Sequence, residues 1–304
     1  VAIVGISDMK CQRRRDDTTF FQLMFDAASE AVRNSNLTHN DIHYCMFSSA
    51  CENFNRQPLI FAIIAETLGW AGKTLVTFSN AGGGSGAAIG AAYSKIVSGE
   101  AEIVLVVGGD KMSDGDLPGR PGFQNIIVYG CDSVFEVPFG SGMGQMALVI
   151  NHYKMTHGIT EEQTAKVVVK NRGNATLNPN AQAPRKLTVE DILKSPYIAY
   201  PIKVREASLI TDGFAAAVFA SEEMAKKLTD TPVWLDGIGF ANDVQKLGWR
   251  EVMHPGTELH DIRSAYYASQ QAYKMAGIKD PRKEIDVAEV QDVYSRVELR
   301  ECEA

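Results

Sequence analysis

The chain opens on an unbroken apolar run, Val1-Ala2-Ile3-Val4, which reads as a short buried strand. Over residues 18–34 the apolar positions Phe20, Phe21, Met24, Ala27, Ala28, Ala31 and Val32 recur at helical spacing and predict a helix. The pattern then alternates: strand at 42–48, helix at 59–68 ending at Gly69, strand at 75–78, helix at 87–97, strand at 103–107. Strands that lack polar alternation and are separated by helices predict a sheet buried on both faces, and so an α/β class. From about 111 to 205 the pattern is irregular and rich in Gly, Pro and Asn. Two helices are expected there, at 161–171 behind the capping box Thr160-x-x-Gln163 and at 189–194 behind Thr188. Alternation resumes with a strand at 213–220, a helix at 222–228 capped by Ser221 and a strand at 233–238. A helix at 261–275 closing at Gly277 and a strand at 287–290 complete the reading.

A helix–turn–strand unit near the start, through Ala31 to Phe47, has an echo near the end, through Ala272 to Val290. The echo fits a duplication and equally two unrelated units. The chain starts on Val1 and stops at Ala304 inside a helix-like stretch, so it is expected to be a piece of a longer protein.

Composition narrows the class further. Of 304 residues, 45% are apolar and 22% charged, which excludes disorder and fibrous repeats. No run of 18 apolar residues exists, so no membrane-spanning helix is expected. Cysteines 11, 45, 51, 131 and 302 include no C-x-x-C pair, pointing to reduced thiols, a cytoplasmic location and no metal site. The net charge of −7 argues against a nucleic-acid partner. Residues 151–205 nevertheless hold nine basic groups against four acidic ones, among them Lys170, Arg172, Arg185 and Lys186. Such a surface suits a phosphorylated cofactor, or is simply a solvated helix face.

The densest chemical signal is Asn80-Ala81-Gly82-Gly83-Gly84-Ser85-Gly86, between a strand and a helix. Glycines there let a ligand approach the backbone, and a helix N-terminus offers N–H groups to negative charge. The stretch fits a dinucleotide fingerprint with Asp110, a tight structural turn, or an oxyanion loop. His39 and His43 are expected to be solvated or structural, and His152, His157, His254 and His260 are too scattered for any set to be assembled from spacing. Glu289, Gln291, Asp292 and Tyr294 follow an apolar strand start, where polar side chains either face a site or simply mark the strand's exit.

Several segments in order resemble the thiolase superfamily, most closely its sterol-carrier-protein-x and archaeal branch. They are Ser98-Gly99-Glu100-Ala101-Glu102-Ile103 through Gly109-Asp110-Lys111-Met112-Ser113-Asp114, Tyr153-Lys154-Met155 through Gly158, and Val169-Lys170-Asn171 through Leu177-Asn178-Pro179. Ser208-Leu209-Ile210-Thr211-Asp212-Gly213, Tyr273-Lys274-Met275-Ala276-Gly277 and Asp286-Val287-Ala288-Glu289-Val290 follow. The resemblance implies a duplicated five-layered α/β/α/β/α fold: an N-terminal half over 1–222, a coenzyme A-binding loop domain near 112–205 within it, and a truncated second half over 223–304. It also implies an acyl-CoA substrate, no permanently bound cofactor, and a homodimer formed through the strand near 75–78. A small zinc-ribbon/OB-fold partner accompanies some members of that branch.

The chain departs from the family where the chemistry lies. The loop that carries the nucleophilic Cys in thiolases reads Asn80–Gly86 here, with Asn80 or Gly82 at the Cys position depending on the alignment. Neither forms an acyl-thioester. The family's H-D-C-F segment reads Gln291-Asp292-Val293-Tyr294. Cleavage or formation of a carbon–carbon bond beside an acyl-CoA thioester by aldol chemistry needs no covalent step, only a base and an oxyanion site. The residues expected to serve it are Gly82, Gly83 and Gly84 with Asn80, the Gln291 amide, and Tyr294 for proton transfer. A Claisen-type thiolase with a displaced nucleophile, and a non-catalytic CoA-binding subunit, are the alternatives.

Overall fold

The structure, a computed structural model, describes residues 1–50, 59–116, 142–244 and 246–303. Cys51 and Cys131, and the stretch 117–141 of the expected loop domain, lie outside the described residues. In chain order the elements are β1 (Ala2–Asp8), α1 (Phe20–Asn34), β2 (Tyr44–Ser49), α2 (Ile60–Thr67), β3 (Thr74–Ser79) and α3 (Gly84–Val97). They continue with β4 (Ile103–Lys111), α4 (Gly142–His157), α5 (Glu161–Ala175), α6 (Val189–Leu193), β5 (Tyr197–Ala199) and β6 (Ile202–Lys203). The last are β7 (Asp212–Ala220), α7 (Glu222–Leu228), β8 (Val233–Trp234), α8 (Arg263–Ala276) and α9 (Ser295–Glu303). They fall into two compact units, Val1–Phe123 with Ile210–Asp236, and Gln124–Leu209 with Gly237–Ala304. β8 adds to the sheet of the first unit.

The first unit is one six-stranded sheet, ordered β3-β2-β4-β7-β1-β8. β2 runs parallel to both β3 and β4, whereas β7 is antiparallel to β4 and β1. The sheet is therefore mixed. Side chains alternate across it: Cys45, Phe47, Leu105 and Val107 meet Phe20, Leu23, Met24, Ala27 and Ala31 of α1 on one face. Met46, Val104 and Val106 meet Ala88, Ala92 and Ile96 of α3 on the other. Both faces are covered by helices, which is why these strands read as continuous apolar runs. α1 begins where the Thr19 hydroxyl accepts from the Gln22 N–H.

In the second unit the capping boxes behind Thr160 and Thr188 both form, and α8 ends at Gly277 in the left-handed conformation. Ala147 and Ile150 of α4, Ile202, Tyr294 and Val297 make one small core. Ala165 and Val168 of α5 with Ile192 make another. Arg296 is buried against Glu206, its guanidinium 3.6 Å from the carboxylate, and burial lowers its pKa.

Three elements differ from the pattern. α4 runs through the segment read as irregular, because its apolar residues surround the helix and its glycines resemble loop punctuation. The strand expected at 233–238 is Val233–Trp234 in the structure: it pairs with Ile3 and Ala2, and Leu235 N–H reaches Val1 O at 3.0 Å. Residues 287–290 form no strand; Val287 is 77% exposed, and no described strand lies beside it to complete a ladder.

Candidate active site

Strand β3 delivers the chain to Asn80, and a single 3-10 turn, Ala81–Gly83, joins it to α3. Ala81 carries φ +43°, one of two non-glycine residues at positive φ among those described. A side chain in that region is strained and persists only where neighbours impose it. Here Ala81 N–H donates to Ala50 O at 3.2 Å, fixing the turn to the end of β2. A sharp strand-to-helix turn of this kind is where hydrolases present a nucleophile. In this chain the position carries a methyl group. The strained position lies between Asn80 and Gly82, the two that alignment of the loop favoured.

The turn uses part of its own donor set. Gly83 N–H donates to Asn80 O at 3.0 Å, and Gly84 N–H donates to Ala81 O. Gly82 is exposed, and its N–H takes part in neither bond, as is also true of the Asn80 carboxamide. Gly84 starts α3 against Ser48, and a Cβ there would stand 2.5 Å from Ser48 Oγ. That close approach explains one glycine of the run; Gly86 faces open space.

Beside the turn, at the carboxyl end of β4, Asp110 accepts from Ser49 Oγ and from Ala50 N–H at 2.8 Å. Asp212, wholly buried, accepts from Ser113 N–H at 2.9 Å, Ser113 Oγ at 2.6 Å and Arg15 N–H at 2.8 Å. Asp110 thus holds the end of β2 beside the turn, while Asp212 holds Ser113 and Arg15 at the neighbouring strand ends, and nothing in their spacing along the chain signals it.

In the second unit Tyr294 bridges to Ala207 and packs among Ala147, Ile150, Ile202 and Val297. Burial pushes its phenol above the ordinary tyrosine range. Gln291 is exposed, and Asp292 accepts from Asn171 Nδ2 at 2.7 Å. Several of the basic groups are paired, but among the described residues only Lys170 draws on an acid outside 151–205, so most of the surplus remains. Lys170 pairs with Glu298 at 2.5 Å, Lys166 with Glu162 at 3.3 Å, Lys194 with Glu190 at 2.6 Å, and Arg205 with Asp191 at 3.8 Å. Arg172 donates to Ala183 O at 3.4 Å. Among the described residues Arg185 and Lys186 are exposed and carry no ion pair. They leave a small cationic surface between α5 and α6.

His39 behaves as a structural residue: its ring stacks on Phe25, its Nε2 lies 3.0 Å from Ser29 Oγ, and burial lowers its pKa. Three of the other histidines do not stay apart. His152 and His157 of α4 converge on His260, which the chain places about a hundred residues later.

Residues 1–190 match the model of the thiolase N-terminal domain. The acetyl-CoA acetyltransferase of Methanothermobacter thermautotrophicus is 28% identical over 297 residues, covering 97% of this chain and 74% of that one. The steroid side-chain-cleaving aldolase of Thermomonospora curvata is 27% identical over 239 residues, covering 74% of this chain and 59% of its own. Among solved structures, the Ltp2-ChsH2(DUF35) aldolase superposes with a TM-score of 0.80 at 21% identity, over 99% of this chain and 75% of that one.

Proposed function

The chain belongs to the thiolase superfamily, and on that premise we propose that it cleaves or forms a carbon–carbon bond beside an acyl-CoA thioester by aldol chemistry. The observation that carries the reading is the methyl group of Ala81 at the strained turn between β3 and α3. With no thiol there, the covalent acyl transfer of a thiolase lacks its acceptor. In the cleavage direction a base takes the proton of the β-hydroxyl group. The electron pair of the breaking bond passes into the thioester as an enolate, and a ketone or aldehyde departs. Protonation of the enolate carbon then yields the shortened acyl-CoA. The exposed Gly82 N–H and the Asn80 carboxamide are proposed donors to the enolate oxygen, with Gly83 and Gly84 shaping the turn. The Gln291 amide is proposed as a further donor. Tyr294, whose phenol burial pushes further above its ordinary range, is suited to donate a proton or hydrogen bond rather than to act as base.

The steroid side-chain-cleaving aldolase among its relatives supports this reading, and the acetyl-CoA acetyltransferase among them favours Claisen chemistry instead. The proposed assembly is a homodimer through β3, supported by that strand's place at the sheet edge. A small zinc-ribbon/OB-fold partner is proposed beside it. The deciding experiment offers the protein hydroxyacyl-CoAs without free coenzyme A, and oxoacyl-CoAs with it, and identifies products by mass. Cleavage of the hydroxy substrates alone supports the lyase. Consumption of coenzyme A with oxo substrates would overturn it, and turnover of neither, with the partner present, would leave a non-catalytic subunit.

A further inference from the structure

We propose that His152, Glu258 and His260 form a binding site for one divalent transition-metal ion of the zinc class, with His157 orienting His260. A ring nitrogen of each of the two histidines and a carboxylate oxygen of Glu258 lie within 4.8 Å of one another. All belong to the second compact unit. His152 Nδ1 stands 2.8 Å from His260 Nδ1, and His152 Nε2 stands 3.4 Å from Glu258 Oε2. A four-coordinate ion with bonds of about 2.0–2.1 Å needs ligand atoms about 3.3 Å apart. Each residue gives one ligand atom, so His152 uses a single ring nitrogen; with one atom from each residue already within 4.8 Å of the others, side-chain rotation brings the three to that spacing.

The surroundings match what such a site requires. A metal-ligating histidine has its second ring nitrogen held by a partner, which fixes the tautomer. His260 Nε2 lies 2.9 Å from His157 Nε2, and in the tautomer where His260 Nε2–H donates to His157 Nε2, His260 Nδ1 is unprotonated and faces His152. The loop bearing the ligands is itself pinned: Arg300 donates to His260 O, Arg250 Nη1 to Leu259 O at 2.8 Å, and Glu258 N–H to Asp261 Oδ2 at 2.9 Å. Two imidazoles and one carboxylate select a borderline ion over magnesium or calcium, which prefer oxygen alone. Glu258, His157 and His260 also line a cavity of about 420 Å³, which leaves the fourth position to water or a small ligand. The pattern of three protein ligands and one open position is that of an exchangeable zinc site.

The test uses the full chain, free of any affinity tag and stripped with a chelator, titrated with zinc chloride by calorimetry and with cobalt chloride by visible absorption. One ion per chain is expected, with a cobalt spectrum of tetrahedral type. His152→Ala and Glu258→Gln each change a side chain that is at least a third exposed and should leave the fold intact, while weakening zinc at least about tenfold. His157→Ala should keep the stoichiometry and weaken zinc by about 10–100-fold. Absence of binding by a chain with native circular dichroism overturns the proposal. Binding that neither His152→Ala nor Glu258→Gln alters marks adventitious surface sites, and overturns it equally.

Discussion

The Ser49 hydroxyl donates to Asp110 at 2.5 Å, tying the ends of two adjacent parallel strands beside the turn that carries Ala81. The second carboxylate oxygen takes the Ala50 N–H at 2.8 Å, and Ala50 O in turn accepts from Ala81 N–H. Asp110→Asn keeps the shape but turns an N–H₂ group toward one of these donors. Hydrogen bonds to charged groups contribute about 1.5–3 kcal/mol. A loss of stability in that range is expected by urea denaturation, with a fall in turnover larger than the fall in stability alone would produce. Unchanged turnover would separate Asp110 from the turn.

Ala81→Cys places a thiol at an exposed turn leading into the N-terminus of a 14-residue helix. That environment lowers a thiol pKa and raises its nucleophilicity at neutral pH. Cys302 offers an internal contrast, since burial and neighbouring carboxylates raise its pKa. Iodoacetamide should label Ala81→Cys about tenfold faster than Cys302 at pH 7, as read by peptide mass spectrometry. Equal rates would show that the turn does not activate a nucleophile.

Two exposed cations without ion pairs, Arg185 and Lys186, are expected to meet the phosphates of coenzyme A. Their joint replacement by alanine should raise KM for an acyl-CoA about tenfold with kcat unchanged, the signature of uniform binding. Lys170, paired with Glu298, should matter less. An unaltered KM in the double variant would move the coenzyme elsewhere.

Alkaline pH should destabilise the chain through groups that fold as neutral acids. Cys45 is fully buried and its thiol lies well above its ordinary value of 9.0. Tyr153 is raised by burial and by Glu303, and Tyr294 by burial. A pKa raised in the folded state contributes stability that is complete below the unfolded value and is lost as pH rises toward the folded one. The loss should begin near pH 9 with Cys45 and steepen above pH 10 with the tyrosines, at up to about 1.4 kcal/mol per pH unit for each group. Cys45→Val should flatten the first part of the limb in denaturation curves; the same slope in both proteins would sink the assignment.

Gly5 packs where β1 passes the C-terminal end of α1, and a Cβ would stand 2.7 Å from Ala31 O and Ser35 N. Both are backbone atoms and cannot step aside as a side chain can. Gly5→Ala should cost about 1–3 kcal/mol by chemical denaturation. A neutral effect would mean that the helix end yields freely.

The alternation of apolar runs and helical stripes determined the α/β class, since burial on both sheet faces must be written into each strand's own residues. The caps at Thr160, Thr188 and Ser221 and the helix end at Gly277 were legible for the same local reason. Partners distant in the chain were not. Whether β7 runs parallel or antiparallel to β4, how far β8 extends and whether 287–290 finds a ladder depend on what lies alongside. The glycine run announced a special turn, but only the backbone dihedral singled out Ala81, because strain arises from neighbours rather than from composition. The three histidines are the sharpest case. His152 and His157 lie five positions apart, a spacing that by itself names no third ligand, and His260 reaches both only because the 258–261 loop folds back onto α4. Their meeting is a property of the tertiary fold, where contact is set by packing and not by distance along the chain.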